Sequence, residues 1–269
     1  MNTGFIGTGS MGGMLLRSLL RTGGLVPSNV WATNRTRAKL DALAAEFPGI
    51  HLAGSRQLAA SCDLLFLCVK GGDTASLLAQ MDPELYPGQL LVTTASTIPL
   101  KMLEDRVPCR VAKLMPSITQ EIGAGVSLLI YGSRVTAEDR SLLEGLLSRI
   151  SHPLVITESQ GRPAIGLASG GPALIAYLLD SMAREAVSAN PELSYEFAST
   201  LVRDTAFATL RLMAEGKMSE EEVIRRVATP GGMTEIGIKI LSRHVPQAWQ
   251  AVFRETAERE RKQRERIAL

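Results

Sequence analysis

The chain begins with a short apolar segment that leads directly into a glycine-rich turn and then into a helical pattern. In the stretch GFIGTGSMGGML, Gly7, Gly9 and Gly12 stand in a G-x-G-x-x-G arrangement. Glycines at this spacing let the backbone turn tightly and approach a pyrophosphate, which the free N–H groups of the helix start can bind. Because the pattern follows an N-terminal strand and opens a helix, it predicts a dinucleotide site in a first β-α-β unit.

The first half of the chain alternates short β-rich runs with helical segments. Such alternation predicts a parallel sheet with helices on both faces. The predicted strands lie in the segments TGFIG, NVWAT, DLLFLCV, QLLVTTA, CRVAKLMP, GVSLLIYG and PLVIT. The expected fold class is therefore α/β, with an N-terminal Rossmann dinucleotide-binding domain.

From about Gly161 the pattern changes to long helical stretches with little strand signal. This shift predicts a Rossmann domain over residues 1–159 and an all-α C-terminal domain over residues 160–269. Helices such as GPALIAYLLDSMAREAV carry more apolar face than a small domain can bury, which favours a homodimer or larger homo-oligomer. The alternative is a monomer that covers these faces with its Rossmann domain. In the charged C-terminal helix, glutamates alternate with arginines, which predicts a solvated face.

Composition excludes several classes of function. A net charge of +2 on 269 residues is too small to indicate nucleic-acid binding. No apolar run is expected to approach the ~20 residues that span a membrane, and the N-terminus does not read as a signal peptide. The three cysteines lack CxxC spacing and suit buried free thiols in the reducing cytoplasm, and the histidines are scattered, so no metal site is predicted. These residues are Cys62, Cys68, Cys109, His51, His152 and His244.

The end of the second predicted strand indicates which dinucleotide is bound. An NAD enzyme usually carries an acidic residue there for the ribose 2′-hydroxyl, whereas this chain has Asn34 and Arg35 in the segment WATNRTR. Basic and amide side chains suit a 2′-phosphate, so the segment favours NADP(H), with NADH possible. The alternative interpretation is a helix cap followed by surface arginines.

A second glycine turn interrupts the helical half in the stretch VATPGGMTEIGIKIL. Pro costs roughly 3 kcal/mol and each Gly roughly 1 kcal/mol inside a helix, so Pro230-Gly231-Gly232 predicts a break. The N–H groups from Gly231 to Thr234 would then lie at a helix start and could bind an anion such as a carboxylate. A plain turn with Thr234 as N-cap remains the alternative.

These residues together resemble the pyrroline-5-carboxylate reductase family along the whole chain. The Val-Lys-Pro motif of that family is matched by Val69-Lys70-Gly71, and its Met-Pro-Asn-Thr-Pro motif by residues 115–119, MPSIT. Its Leu-Ser-Gly-Ser-Gly-Pro-Ala-Tyr motif is matched by residues 167–174, LASGGPAL. The most specific match is residues 229–234, TPGGMT, which align with Ser-Pro-Gly-Gly-x-Thr.

The resemblance implies NADPH-dependent reduction of a cyclic imine carboxylate, pyrroline-5-carboxylate to proline or a close analogue. It implies that Thr234 contacts the ring nitrogen as hydrogen-bond partner or proton donor, while Gly231, Gly232 and Met233 hold the substrate carboxylate. It also implies a cytoplasmic dimer with interleaved C-terminal helices, in which the Thr234 turn completes the site of the partner. The expected cofactor-binding residues are Gly7, Thr8, Gly9, Ser10, Met11, Gly12, Asn34, Arg35, Cys68, Val69 and Lys70.

Four departures from the family pattern suggest a divergent member. They are Gly71, Ser117, Ile118 and Leu174, which stand where the family has Pro, Asn, Thr and Tyr. The chain looks most like the reductase-like proteins found with late-competence genes of Gram-positive bacteria (the ComER type). Two alternatives stay open: an NADP-binding regulatory protein without turnover, and a β-hydroxyacid dehydrogenase. The second is disfavoured because the helix GGPALIAYLLDSM lacks the lysine that such enzymes use.

Overall fold

A computed structural model describes residues 1–266 and contains an eight-stranded sheet. The strand order is β3-β2-β1-β4-β5-β6-β7-β8, so the order reverses at β1, between β2 and β4. The seven predicted strands are all present, and a two-residue edge strand, β3, was not predicted. The strands are β1 (Thr3–Ile6), β2 (Val30–Thr33), β3 (His51–Leu52), β4 (Leu64–Leu67), β5 (Leu90–Thr93), β6 (Arg110–Met115), β7 (Val126–Tyr131) and β8 (His152–Val155).

The sheet is parallel except at one pair. β7 runs antiparallel to β6, with Lys113 opposite Ile130, and β8 is again parallel to β7. The expectation of a wholly parallel sheet is therefore wrong at this point. A parallel pair needs a crossover of a dozen or more residues, whereas only a short segment with a 3₁₀ turn (Ile118–Ile122) separates β6 from β7.

Helices cover both faces of the sheet, as the alternating pattern predicts. One apolar core contains residues of α1, α2 and α6, and the other contains residues of α3, α4, α5 and α7. Phe5 and Phe66 stack inside the first core with ring centroids 4.8 Å apart. The helices are α1 (Ser10–Arg21), α2 (Arg37–Glu46), α3 (Ser55–Ser61), α4 (Gly71–Met81), α5 (Leu100–Arg106), α6 (Ala137–Leu147) and α7 (Gly161–Ala168).

The remaining helices follow without further strands. They are α8 (Gly171–Ala189), α9 (Tyr195–Gly216), α10 (Glu220–Val227) and α11 (Met233–Arg264). The chain divides into two compact units, one of Met1–Pro172 with the segment from Thr256 onward, and one of Ala173–Glu255. The predicted boundary between residues 159 and 160 stays a prediction, since the first unit also includes α7 and the end of α11.

The last helix is longer than the sequence pattern suggested. α11 is continuous over 32 residues and includes Pro246, so the terminal segment is not a separate helix. Its end is not wholly a solvated face either. Glu260 is only 5% exposed and accepts hydrogen bonds from Arg264, with Arg162 3.5 Å away. The last three residues of the predicted terminal helix lie outside the described residues.

One helical segment contradicts the expectation that no apolar run is long enough to span a membrane. Glu158–Ala189 includes an 18-residue window with a mean hydropathy of 1.2, of which 11% is buried within the chain. The segment reaches this length because α7 and α8 follow each other with only Ser169 and Gly170 between them. Its match to a membrane span rests on length and composition alone.

Candidate functional site

The glycine-rich turn joins β1 to α1, and its three glycines meet different surroundings. Gly7 has a φ of +92°, and a Cβ built on it would lie 2.6 Å from the Cys68 carbonyl oxygen. A Cβ on Gly12 would lie 2.0 Å from the Gly7 carbonyl oxygen, whereas one on Gly9 would meet no atom within 4 Å. Gly7 and Gly12 are therefore required by packing. Gly9 leaves backbone open to the space in front of the helix, which fits close approach by a pyrophosphate.

The loop after β2 is tied to the glycine turn through Asn34. Its side-chain amide donates a hydrogen bond to the Thr8 hydroxyl at 2.9 Å, and its side-chain carbonyl accepts one from the Thr36 N–H. Thr8 is buried and borders a neighbouring groove between α1 and α2. Asn34 thus holds the two loops together, which leaves Arg35 as the extended side chain of this segment, 89% exposed.

The third wall comes from the end of β4. Cys68 and Val69 are half-buried, and Lys70 is exposed immediately before α4. Burial raises the pKa of the Cys68 thiol to about 12, so this cysteine is a neutral packing group rather than a nucleophile.

These loops enclose a cleft of about 1160 Å³ at the carboxyl ends of the strands. Parallel sheets bind ligands at this edge, where the strand order reverses. Nine of the predicted cofactor residues line the cleft, and Thr8 and Gly12 do not. The nine are Gly7, Gly9, Ser10, Met11, Asn34, Arg35, Cys68, Val69 and Lys70. The assignment of binding roles to these residues stays a prediction.

The charged residues of the cleft suit an anionic ligand. The side chains that line it within residues 1–266 include four basic residues and one acidic residue, Asp73. The sequence analysis did not identify three of these five charged residues, Lys39, Asp73 and Arg266. Lys39 carries a signal that could have been used, since it lies one helical turn after Arg35. Asp73 and Arg266 carry no such signal, because only the fold brings the start of α4 and the residues just after α11 to this edge.

A buried lysine, Lys113, contacts the loop after β5, which borders the cleft. Lys113 on β6 is 1% exposed, forms an ion pair with Glu158 and lies 3.5 Å from the Ser96 carbonyl oxygen. Burial lowers the pKa of Lys113, although Glu158 opposes this effect. Glu158 also accepts a hydrogen bond from the Leu100 N–H at 3.0 Å. The pair therefore fixes the loop after β5, whose residues Ser96 and Thr97 line the cleft.

In the helical unit, the glycine turn ends where α11 begins at Met233. Gly231 has a φ of +77°, and its N–H donates a hydrogen bond to the Glu235 carboxylate at 2.8 Å. Lys239 also contacts Glu235 at 2.8 Å, and these two hydrogen bonds, that of Lys239 first, lower the pKa of Glu235. The turn thus already binds a carboxylate, that of Glu235 in the same chain. Met233 and Thr234 are exposed beside it.

The same unit exposes large apolar side chains along α8 and α9. Tyr177 on α8 is 70% exposed, and Phe207 and Leu210 on α9 are more than 60% exposed. Monomeric proteins rarely leave contiguous apolar surface of this kind uncovered. This distribution is typical of helices that pack against another copy of the chain.

Two family models match the sequence. Residues 2–97 match a family described as NADP oxidoreductase coenzyme F420-dependent, and residues 158–263 match pyrroline-5-carboxylate reductase dimerisation. The second match begins at Glu158, the residue that pairs with Lys113.

Curated relatives match nearly the whole chain. ComE operon protein 4 of Bacillus subtilis (strain 168) is 34% identical over 95% of this chain and 94% of its own. Pyrroline-5-carboxylate reductase 3 of the same organism is 30% identical over 94% of this chain and 93% of its own. A solved structure of Plasmodium falciparum pyrroline carboxylate reductase with NADP bound shares the fold, with a TM-score of 0.81 and 18% identity over 99% of this chain and 98% of its own.

Proposed function

Because the chain belongs to the pyrroline-5-carboxylate reductase family, we propose that it reduces a cyclic imine carboxylate with NADPH, pyrroline-5-carboxylate to proline or a close analogue. The resemblance inferred from the motifs is thereby confirmed at the level of family and fold. The observation that carries the substrate assignment is the turn at Gly231, whose N–H binds a carboxylate in this structure. A carboxylate of the substrate would compete with Glu235 for that N–H.

The cofactor assignment rests on the cleft. NADPH, when bound, supplies the hydride that reduces the imine carbon. Ser10 and the residues after it present the start of α1 to the pyrophosphate, and Gly9 leaves the approach open. Arg35 and Lys39, which both line the cleft, offer the positive charge that a 2′-phosphate requires.

The helical unit supplies the groups for the other end of the reaction. Gly231, Gly232 and Met233 orient the substrate carboxylate through the backbone, so the chemical identity of Met233 is of little consequence. The Thr234 hydroxyl donates a hydrogen bond to the ring nitrogen, which must gain a proton as the carbon gains hydride. Reduction of an imine makes no demand for a strongly basic side chain, so most of the acceleration comes from positioning.

We further propose that the protein is a cytoplasmic homodimer in which the Thr234 turn completes the site of the partner. The exposed apolar faces of α8 and α9 and the match to a dimerisation family support the association. The free, buried thiols of Cys62 and Cys109 suit a reducing compartment.

The test is oxidation of NADPH by the purified protein with pyrroline-5-carboxylate and a panel of related cyclic imines, run beside NADH. Turnover that is faster with NADPH and at least about 10-fold lower in Thr234→Ala, with unchanged NADPH affinity, supports the proposal. Thr22→Ala is the matched control, because the Thr22 hydroxyl only donates to backbone carbonyl oxygens of α1, at the C-terminal end of that helix.

Three other outcomes contradict parts of the proposal. Tight NADPH binding without turnover of any imine in the panel would identify a regulatory protein that has kept the cofactor site. Failure to bind NADPH would remove the cofactor assignment itself. Equal turnover in wild type and Thr234→Ala would exclude the Thr234 hydroxyl from the reaction.

A further inference from the structure

An ion pair crosses the part of the cleft between the loop after β2 and the start of α4. Arg35 Nη2 lies 3.4 Å from Asp73 Oδ2. Arg35 follows β2, and Asp73 belongs to the first turn of α4. Both residues line the cleft. Among the cleft-lining residues that the structure describes, Asp73 is the one acidic residue.

The position of this pair corresponds to the adenosine end of the site. In doubly wound sheets the loop after the second strand contacts the ribose of a dinucleotide, and an arginine there accommodates a 2′-phosphate. Arg35 is that residue if the proposed function holds, and the present inference rests on it. In this structure Arg35 therefore already has an anionic partner, Asp73, before any ligand arrives.

The pair is exposed and weak enough to exchange for a ligand. Arg35 is 89% exposed and Asp73 is 46% exposed, so water and salt screen their attraction. A 2′-phosphate carries more charge than one carboxylate and can displace Asp73 from Arg35. The displaced carboxylate then stays near the phosphate, and like charges repel. Each contribution acts against NADPH, and neither acts against NADH, which has only a 2′-hydroxyl at this place.

We propose that Asp73 sets the cofactor selectivity of this protein by pairing with Arg35, and that it thereby reduces the preference for the 2′-phosphorylated dinucleotide. Asp73 is a positioning residue in this account, since it acts through the guanidinium of Arg35. The consequence is an enzyme that retains NADH as a usable cofactor although it lacks an acidic residue at the end of β2.

The experiment is calorimetric titration of the full-length protein with NADPH and with NADH, in wild type and Asp73→Asn. We expect Asp73→Asn to bind NADPH about 3- to 5-fold more tightly at low salt and to bind NADH within about 2-fold of wild type. The gain should shrink at 0.5 M salt, where the Debye length falls to about 4 Å. Asp73→Glu should keep the wild-type ratio of the two affinities.

Asp82→Asn is the matched control. Asp82 lies at the other end of α4, is 45% exposed and pairs with Arg106 at 3.6 Å, so its change removes the same charge outside the cleft. It should alter neither affinity. A second comparison places Asp73→Asn in an Arg35→Ala background, where the gain in NADPH affinity should disappear.

Three results would overturn the inference: unchanged NADPH affinity in Asp73→Asn, equal changes for both dinucleotides, or a gain that persists without Arg35. These are distinguishable from failure of the proposed function. If the wild type binds no NADPH, both conclusions fall. If it binds NADPH and Asp73→Asn behaves like wild type, only the role of Asp73 falls.

Discussion

Two glycines of the turn, Gly9 and Gly12, should differ in what they contribute: Gly12 to folding and Gly9 to cofactor binding. Alanine at Gly12 would place its Cβ 2.0 Å from the Gly7 carbonyl oxygen and 2.7 Å from the Cys68 Cβ. Neither neighbour is the end of a flexible side chain, so the backbone itself has to move. Alanine at Gly9 would meet no atom within 4 Å, and Gly9 has a φ of −72°, which any residue adopts.

The expected magnitudes differ accordingly. Overpacking of this kind costs about 1–3 kcal/mol, and in a protein of this size each kcal/mol lowers the Tm by about 2–4 °C. Gly12→Ala should therefore melt about 2–12 °C below wild type. Gly9→Ala loses a few tenths of a kcal/mol at the N-cap and regains a similar amount from the less flexible unfolded chain, so its Tm should stay within about 2 °C.

For cofactor affinity, Gly9→Ala is the informative substitution. The new methyl group at Gly9 enters the space through which a pyrophosphate approaches the start of α1, so we expect at least a 10-fold loss of NADPH affinity, about 1.4 kcal/mol. Thermal melts with and without NADPH, together with titrations, measure both effects. A Gly9→Ala protein that binds NADPH as tightly as wild type would show that the turn does not bind the pyrophosphate. A Gly12→Ala protein with the wild-type Tm would refute the packing argument.

Two further predictions concern association and alkaline pH. Phe207→Asp places a charge on the exposed apolar face of α9 and should halve the mass measured by light scattering, whereas an unchanged mass would exclude this face from the interface. Burial raises the pKa of Cys62 to about 12 and of Cys109 to about 11, so both thiols should resist alkylation at pH 8 until the protein unfolds. Because these folded-state values exceed the unfolded value of about 8.5, the stability they contribute is complete below pH 8.5 and falls as pH rises toward 11–12, by about 1.4 kcal/mol per pH unit for each thiol. If the guanidinium concentration at the unfolding midpoint does not decrease as pH is raised from 8 to 10.5, this account is contradicted.

The strands could be predicted from sequence because their burial leaves a strong local signal. The segment LLFL of β4 is buried on both faces, and a continuous apolar run between turn residues indicates such a strand. β3 could not be found in this way, since its two residues at the sheet edge, His51 and Leu52, are not fully buried. The direction of β7 was missed for a different reason. Periodicity reports which faces of a strand are buried, and the length of the connection reports its direction.

The candidate site divides along the same lines. The glycine turn and the segment around Arg35 are local motifs, and their positions relative to strand ends could be predicted from one β-α-β unit. The pairing of Arg35 with Asp73 joins residues 38 positions apart, and that of Lys113 with Glu158 joins residues 45 apart. No local pattern encodes such contacts. Lys113 was hidden further by its surroundings, because a lysine within the run RVAKLM looks like the exposed side of a strand although it is buried.

The departures from the family pattern also acquire a place in the structure. Of the three in the sheet-containing unit, Gly71 begins α4 and lines the cleft. Ser117 is buried and accepts a hydrogen bond from Thr119, while Ile118 is 58% exposed, and neither lines the cleft. The glycine turn and the loop after β2 therefore carry none of these departures, and two of the changes fall in the segment between β6 and β7.

Changes outside the cleft, such as those at Ser117 and Ile118, alter which substrate the protein accepts more readily than whether it binds NADPH. Ile118 replaces a hydroxyl with an apolar side chain, and a site that loses a hydrogen-bonding group discriminates strongly between substrates with and without the matching polar group. Tight NADPH binding with slow turnover of pyrroline-5-carboxylate would therefore point first to an imine with a different ring or side chain. Only the failure of the whole panel would point to a protein without catalytic activity.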